Sequence, residues 1–202
     1  MTTIEFFYDV SSPWTYYAYE RIEEFCDKNK AKLIWKPFLV GAVFNKVNPS
    51  VYQRRESPIE AKDAYYRKDM ADWARYQGLA MVRPSVFPVN SVKALRGAFL
   101  AIDKGVVSPY SRACFEAYWR DDRDISQEDV LRDIVGSVSM DPDWFFEQIA
   151  DDKVKRRLFE TTDDLIGRGG FGSPTFFLNE NDMYFGNDRL ELMQAAIDRA
   201  DG

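Results

Sequence analysis

No histidine occurs among the 202 residues of the chain. That absence excludes a Ser-His-Asp or Cys-His relay and any zinc site with an imidazole ligand, and with them most hydrolase chemistry. Cysteine is almost as scarce, with Cys26 and Cys114 the only two. They are too few for a thiolate metal cage and too far apart in sequence for a C-x-x-C redox pair. Each sits among apolar residues at helical spacing, which predicts a buried small hydrophobe rather than a ligand or nucleophile, and no metal site is expected. Glycine (11) and proline (9) are sparse, so the composition is not that of a linker or repeat. No run approaches the roughly 18 apolar residues of a membrane span. The N-terminus, MTTIEFFYDV, lacks a cationic n-region and carries Glu5 where a secretory signal is apolar. A cytoplasmic protein with no membrane partner is expected. Cations are outnumbered, 27 Lys and Arg against 33 Asp and Glu, for a net charge of −6, which argues against a nucleic-acid partner.

What is abundant is apolar and aromatic surface: 46% of residues are hydrophobic, with 15 Phe, 11 Tyr and 5 Trp. One domain, with a sizeable insertion, is the prior for this length. Ile4 to Val10 (IEFFYDV) reads as a buried strand. Ser12 then stands as a helix N-cap with Pro13 at the first helical position, where its missing N–H costs nothing. Tyr16, Tyr19, Ile22, Phe25 and Cys26 carry the helix to about Lys28. Ala31 to Phe38 reads as a second strand, and so short a β-α-β crossover implies parallel neighbours.

From Leu39 to Ala150 there are helix signals and no convincing strand. Ile59 to Gln77 stops at Gly78, and Ser91 to Lys104 carries one apolar face and stops at Gly105. Pro109 to Arg120 makes a third helix. Ser126 with Asp129 reads as a capping box for a fourth, and Asp141-Pro142 opens a fifth. Asp152 to Arg168 is helical again, SPTFFLN and MYFGN read as strands joined by a tight turn, and a last helix spans about Asp188 to Ala200. The order β-α-β, helical insert, α-β-β-α is that of a thioredoxin fold with an all-helical domain inserted after the second strand. The expected division is 1–38 with 151–202 for the thioredoxin-like part and 39–150 for the insert.

Several short motifs carry chemistry as well as structure. GRGGFG at Gly167 to Gly172 matches G-x-G-x-x-G in letters, but it follows a helix and precedes a strand, the reverse of a dinucleotide fingerprint, and reads as a helix stop and loop. Ser11-Ser12-Pro13-Trp14 is a cap on its own. In this fold, however, the turn after the first strand is where redox proteins place C-P-x-C, with Ser12 and Thr15 in the cysteine positions. A serine there cannot form a disulfide, but its hydroxyl can donate to a thiolate brought by a ligand, at a helix N-terminus that favours an anion. Gly172-Ser173-Pro174-Thr175 before an apolar strand reads as a loop proline on its own. In thioredoxin folds the equivalent proline is cis and faces the active turn, which leaves Ser173 to pair with an extended peptide. Asn187 and Asp188 open the last helix, where they either cap it or grip the charged ends of a γ-glutamyl group.

Taken together, FYDVSSPWTYYAYERI, KPFLVGAVF with Asn48-Pro49, PIEAKDAYYRKDMADWA, FPVNSVKALR, GSPTFF and FGNDRL resemble the kappa-class glutathione transferases and 2-hydroxychromene-2-carboxylate isomerases, a branch of the DsbA-like thioredoxin superfamily. The resemblance covers nearly the whole chain. It implies that Ser12 activates the thiol of glutathione, with Pro13 and Trp14 beside it. It also implies that Ser173 pairs with the tripeptide backbone and that Asn48 and Phe185, Gly186, Asn187 and Asp188 complete the cofactor site. The implied activity is a glutathione-dependent isomerisation of a hydroxylated aromatic substrate of the chromene-carboxylate or benzylidene-pyruvate type, within aromatic compound catabolism, by a protein that is commonly a homodimer. Where some members carry a basic residue soon after the second strand, this chain has Val43 and Phe44. Lys62 then becomes the candidate to hold an acidic substrate, with Phe87 and Asn90 as further substrate contacts. The alternatives are a kappa-class transferase that consumes glutathione by conjugation and a peptide-binding module without chemistry. A DsbA-type oxidoreductase is disfavoured by the missing C-x-x-C.

Overall fold

The computed structural model describes residues 1–201. A four-stranded sheet in the order β2-β1-β3-β4 forms its centre, built from β1 (Thr3–Tyr8), β2 (Lys32–Pro37), β3 (Thr175–Leu178) and β4 (Asp182–Phe185). β1 pairs parallel with β2 across the helix α1 (Pro13–Lys28) and antiparallel with β3, which pairs antiparallel with β4. Between β2 and β3 the described residues form helices and no strand: α2 (Val40–Val47), α3 (Ser50–Glu56), α4 (Glu60–Gln77), α5 (Val92–Asp103), α6 (Val107–Phe115), α7 (Glu128–Ser137), α8 (Pro142–Ile149) and α9 (Asp152–Gly167). α10 (Leu190–Asp201) follows β4. This is the thioredoxin fold with a helical insertion that the element order implied.

Alternation along β1 assigns its side chains to two cores. Ile4, Phe6 and Tyr8 join the large cluster with Tyr16, Tyr19, Ile22 and Cys26 of α1 and Leu95, Ala98 and Phe115 of the insert. Phe7 faces the other way, into a smaller cluster with Phe38, Val43, Leu165 and Phe177. The sheet and much of the insert therefore share one continuous apolar core, each fully buried large side chain contributing about 1.5–3 kcal/mol. Cys26 and Cys114 are both free and buried in that cluster, as their spacing predicted.

Three local expectations need correction. The insert contains two helices beyond the five foreseen, α2 and α3; neither has a side-chain cap, and α3 buries no residue, so periodicity gave no handle on them. Ser126 does not cap α7. Asp124 accepts from the Ser126 N–H at 2.9 Å, and the cap position falls on Gln127 with no side-chain bond. The third insert helix begins at Val107, ahead of Pro109, and closes in a π-helical turn over Glu116–Arg120.

Candidate active site

The turn between β1 and α1 and the loop before β3 meet at one edge of the sheet. Ser12 is the N-cap of α1, in extended conformation, and its Oγ accepts from the Thr15 N–H at 3.3 Å. Pro13 is buried at the first helical position. The same Ser12 hydroxyl donates to the Ser173 carbonyl at 3.2 Å. Capping and proximity to the cis-proline loop, alternatives in the sequence, are thus one arrangement in the structure. The Ser173-Pro174 bond is cis. Ser173 Oγ accepts from the Asp9 N–H at 3.1 Å and shares a 2.7 Å hydrogen bond with Thr15 Oγ1. Among the described residues nothing accepts from the Ser173 N–H, which stays available to an incoming backbone.

Of the remaining cofactor candidates, Asn48, Phe185 and Gly186 contact the same loop. Asn48, at the end of α2, donates through Nδ2 to the Phe171 carbonyl at 3.2 Å and accepts from Ser50 Oγ at 2.7 Å. Phe171 and Phe185 lie with ring centroids 4.4 Å apart. A Cβ on Gly172 would come within 2.7 Å of the Phe185 ring, so glycine is what lets that ring lie on the loop. Gly186, at φ +114°, donates to the Pro174 carbonyl at 3.1 Å and turns the chain into a 3-10 turn over Asn187–Arg189. Asn187 is buried, and its Nδ2 has no partner. Asp188 is exposed and bonded to Arg189 at 2.7 Å.

Trp14, expected beside the cofactor, and the three substrate candidates are more dispersed. Trp14, half-buried, meets Tyr17 and Tyr66 edge-on at 5.8 and 5.4 Å. Lys62 lines a cleft of about 410 Å³ with Arg54, Tyr65, Tyr66 and Asp69, of which Tyr66 is the residue that meets Trp14. Phe87 stands 44% exposed against Trp119. Asn90 is exposed, and its Oδ1 accepts from the Val92 N–H at the start of α5.

One residue of the site passed unnoticed in the sequence. Asp9 is fully buried behind the turn, where its carboxylate accepts from the Ser11 N–H (2.9 Å), the Val40 N–H (3.0 Å) and the Ser91 hydroxyl (3.2 Å). Burial pushes its carboxyl above the ordinary value, and those donors pull against the shift. The available signal was an acidic residue directly after the aromatic run Phe6-Phe7-Tyr8 that ends β1.

A family model for the DsbA-like thioredoxin domain matches residues 3–198. The chain belongs to the DsbA-like thioredoxin family. Within the family it is 24% identical over 199 residues to the 2-hydroxychromene-2-carboxylate isomerase of Pseudomonas putida, across 97% of this chain and 94% of the relative. It is 25% identical over 201 residues to glutathione S-transferase kappa 2 of Caenorhabditis elegans, across 93% of this chain and 88% of that one. A solved 2-hydroxychromene-2-carboxylate isomerase superposes with a TM-score of 0.82 at 23% identity, covering 98% of this chain and 95% of the other. The turn of this chain, SPWT, holds no thiol. The buried Cys26 and Cys114 have their thiols pushed by burial up to about 12.

Proposed function

We propose that the protein is a glutathione-dependent isomerase of a hydroxylated aromatic substrate of the chromene-carboxylate or benzylidene-pyruvate type. The observation that carries the reading is the Ser12 hydroxyl, fixed at the N-terminus of a 16-residue helix and facing the cis-proline loop, in a turn without cysteine. The names of the isomerase and kappa-class relatives support both the activity and the cofactor. The residues present fit glutathione: the free Ser173 N–H and the unpartnered Asn187 Nδ2 are donors in want of acceptors. Bound as its thiolate, glutathione supplies a nucleophile that adds reversibly to a conjugated double bond, permits rotation and leaves unchanged.

The chain's own part is electrostatic. The Thr15 N–H holds the Ser12 oxygen in place, and the single hydroxyl proton is spent on the Ser173 carbonyl until an anion arrives. Turning that proton toward an anion exchanges a neutral hydrogen bond of about 1 kcal/mol for one of about 1.5–3 kcal/mol. The end of α1 adds attraction of about 0.3–1 kcal/mol to the same charge. Together these lower a thiol of ordinary pKa near 8.5 by roughly one to two units, since each unit is about 1.36 kcal/mol.

The deciding experiment is turnover of a benzylidene-pyruvate or chromene-carboxylate substrate with glutathione measured before and after. Isomerised product with glutathione conserved is expected. Consumption of glutathione into a conjugate would assign a kappa-class transferase instead, and tripeptide binding without any turnover would leave a binding module.

A further inference from the structure

The two last cations of α3, Arg54 and Arg55, form no ion pair among the described residues. The two are adjacent cations on one short helix, in a chain with net charge −6. Both are instead laid on aromatic rings. Arg54 Cζ lies 4.9 Å from the centroid of Tyr66, and Tyr66 meets Trp14 at 5.4 Å. Arg55 Cζ lies 5.4 Å from the centroid of Phe87 and 5.8 Å from that of Tyr52. Phe87 in turn is 6.2 Å from Trp119, whose indole N–H donates to the Val10 carbonyl at 3.0 Å.

These contacts close a ring. One arm leaves the catalytic turn at Trp14, two residues after Ser12, and the other at Val10, two residues before it. They join at the Arg54-Arg55 peptide. A guanidinium stacked on a ring keeps its planar N–H fork free at the edge, the geometry that takes a carboxylate through two hydrogen bonds. The ring of contacts supplies apolar faces at Trp14, Tyr66 and Phe87, all partly or well exposed, for a planar molecule.

We infer that Arg54 and Arg55 are the anion-reading residues of the second-substrate site, and that they select a planar aromatic compound bearing a carboxylate. The inference rests on the proposed function for the placement of the reacting centre at Ser12. It moves the recognition of charge from Lys62, on the neighbouring helix, to two arginines that are tied through aromatic contacts to both sides of the turn.

The test compares 2-hydroxycinnamate with its methyl ester, probes alike in ring and double bond and different in charge, by calorimetric titration of the glutathione-saturated protein. The wild type is expected to bind the acid about tenfold more tightly than the ester, equivalent to about 1.4 kcal/mol. Arg54→Gln/Arg55→Gln is expected to bind acid and ester alike, with ester affinity and glutathione affinity unchanged. Both arginines are exposed, so folding should not be at risk. Arg54→Lys/Arg55→Lys should keep the charge but not the fork, and recover only part of the preference. Equal binding of acid and ester by the wild type, no binding of either, or a preference that survives in the Gln double variant would overturn the inference. So would a loss of glutathione affinity in that variant, which would make the pair part of the cofactor site. A separate titration of the wild type with glutathione alone tests the proposed function. Its failure would leave the acid-over-ester comparison, repeated without glutathione, to be read on its own.

Discussion

Replacing Ser12 by alanine removes two bonds with different duties, and the two can be read apart. The oxygen caps α1 by accepting from the Thr15 N–H, and the proton bridges to the Ser173 carbonyl. Losing the cap costs about 0.5–2 kcal/mol, and losing the neutral bridge about 1 kcal/mol more. Ser12→Ala should therefore be destabilised by about 1.5–3 kcal/mol, which in a chain of this size lowers Tm by roughly 3–12 °C. The effect on bound glutathione is of another kind. A hydroxyl that favours an anion over the neutral thiol by about 1–2 kcal/mol depresses its pKa by about one unit, and the substitution should restore that unit. The ultraviolet absorbance of the thiolate, titrated in the complex, reads it directly. Burial pushes the Cys26 and Cys114 thiols up to about 12, so the protein's own cysteines add no thiolate signal near neutral pH. Ser12→Gly separates the duties further, since glycine costs a helix N-terminus only a few tenths of a kcal/mol relative to serine. It should be more stable than Ser12→Ala and yet show the same raised thiol pKa. Titration curves that coincide for all three proteins would remove the Ser12 hydroxyl from the mechanism and leave it a cap.

Asn187→Ala should weaken glutathione binding about tenfold by calorimetry while changing folding stability by less than about 1 kcal/mol, because the amide nitrogen it removes has no partner to lose. The double replacement Cys26→Ala/Cys114→Ala should leave turnover within about twofold, at a packing cost of roughly 1–3 kcal/mol; a variant that folds but is inactive would overturn the assignment of a cysteine-free mechanism. Asp9→Asn should destabilise by about 1–3 kcal/mol, since an amide NH2 group meets donors at Val40 and Ser91. The raised carboxyl of Asp9 means the native state holds its proton longer than the unfolded chain does, so its contribution is greatest in acid and declines as pH rises from the unfolded toward the native value. The difference in denaturation free energy between wild type and Asp9→Asn, measured across that range, should carry this slope, and a difference that grows with pH would refute it.

Where local signals were strong the sequence led directly to the structure. β1, α1 and the parallel β2 followed from apolar alternation, the Ser12-Pro13 start and the short crossover, and Gly78 ends α4 in left-handed conformation as a C-terminal glycine should. Other features depend on the folded arrangement and leave little trace in the chain. α2 and α3 are short helices with no cap to announce them, and Ser126 does not cap α7 because the helix starts one residue later, with Gln127 in the cap position and the Ser126 Oγ accepting from Gln127 Nε2 at 3.1 Å. The engagement of Ser12 with Ser173 spans 161 residues of sequence, and that of Arg55 with Phe87 joins two segments with no local pattern in common. Only the fold brings such partners together.

The buried carboxylate of Asp9 also bears on how this architecture could be trimmed. Of its three donors, only the Ser11 N–H belongs to the turn itself; the Val40 N–H opens α2 and the Ser91 hydroxyl stands at the head of α5. Excising the helical segment to leave a minimal thioredoxin would strand the charge with a single donor, just where the turn between β1 and α1 must hold its shape. A miniaturised version would have to change Asp9 together with the excision, to a small apolar side chain. For the same reason, grafting the insert of a relative would succeed or fail on whether the donors at the equivalents of Val40 and Ser91 arrive with it.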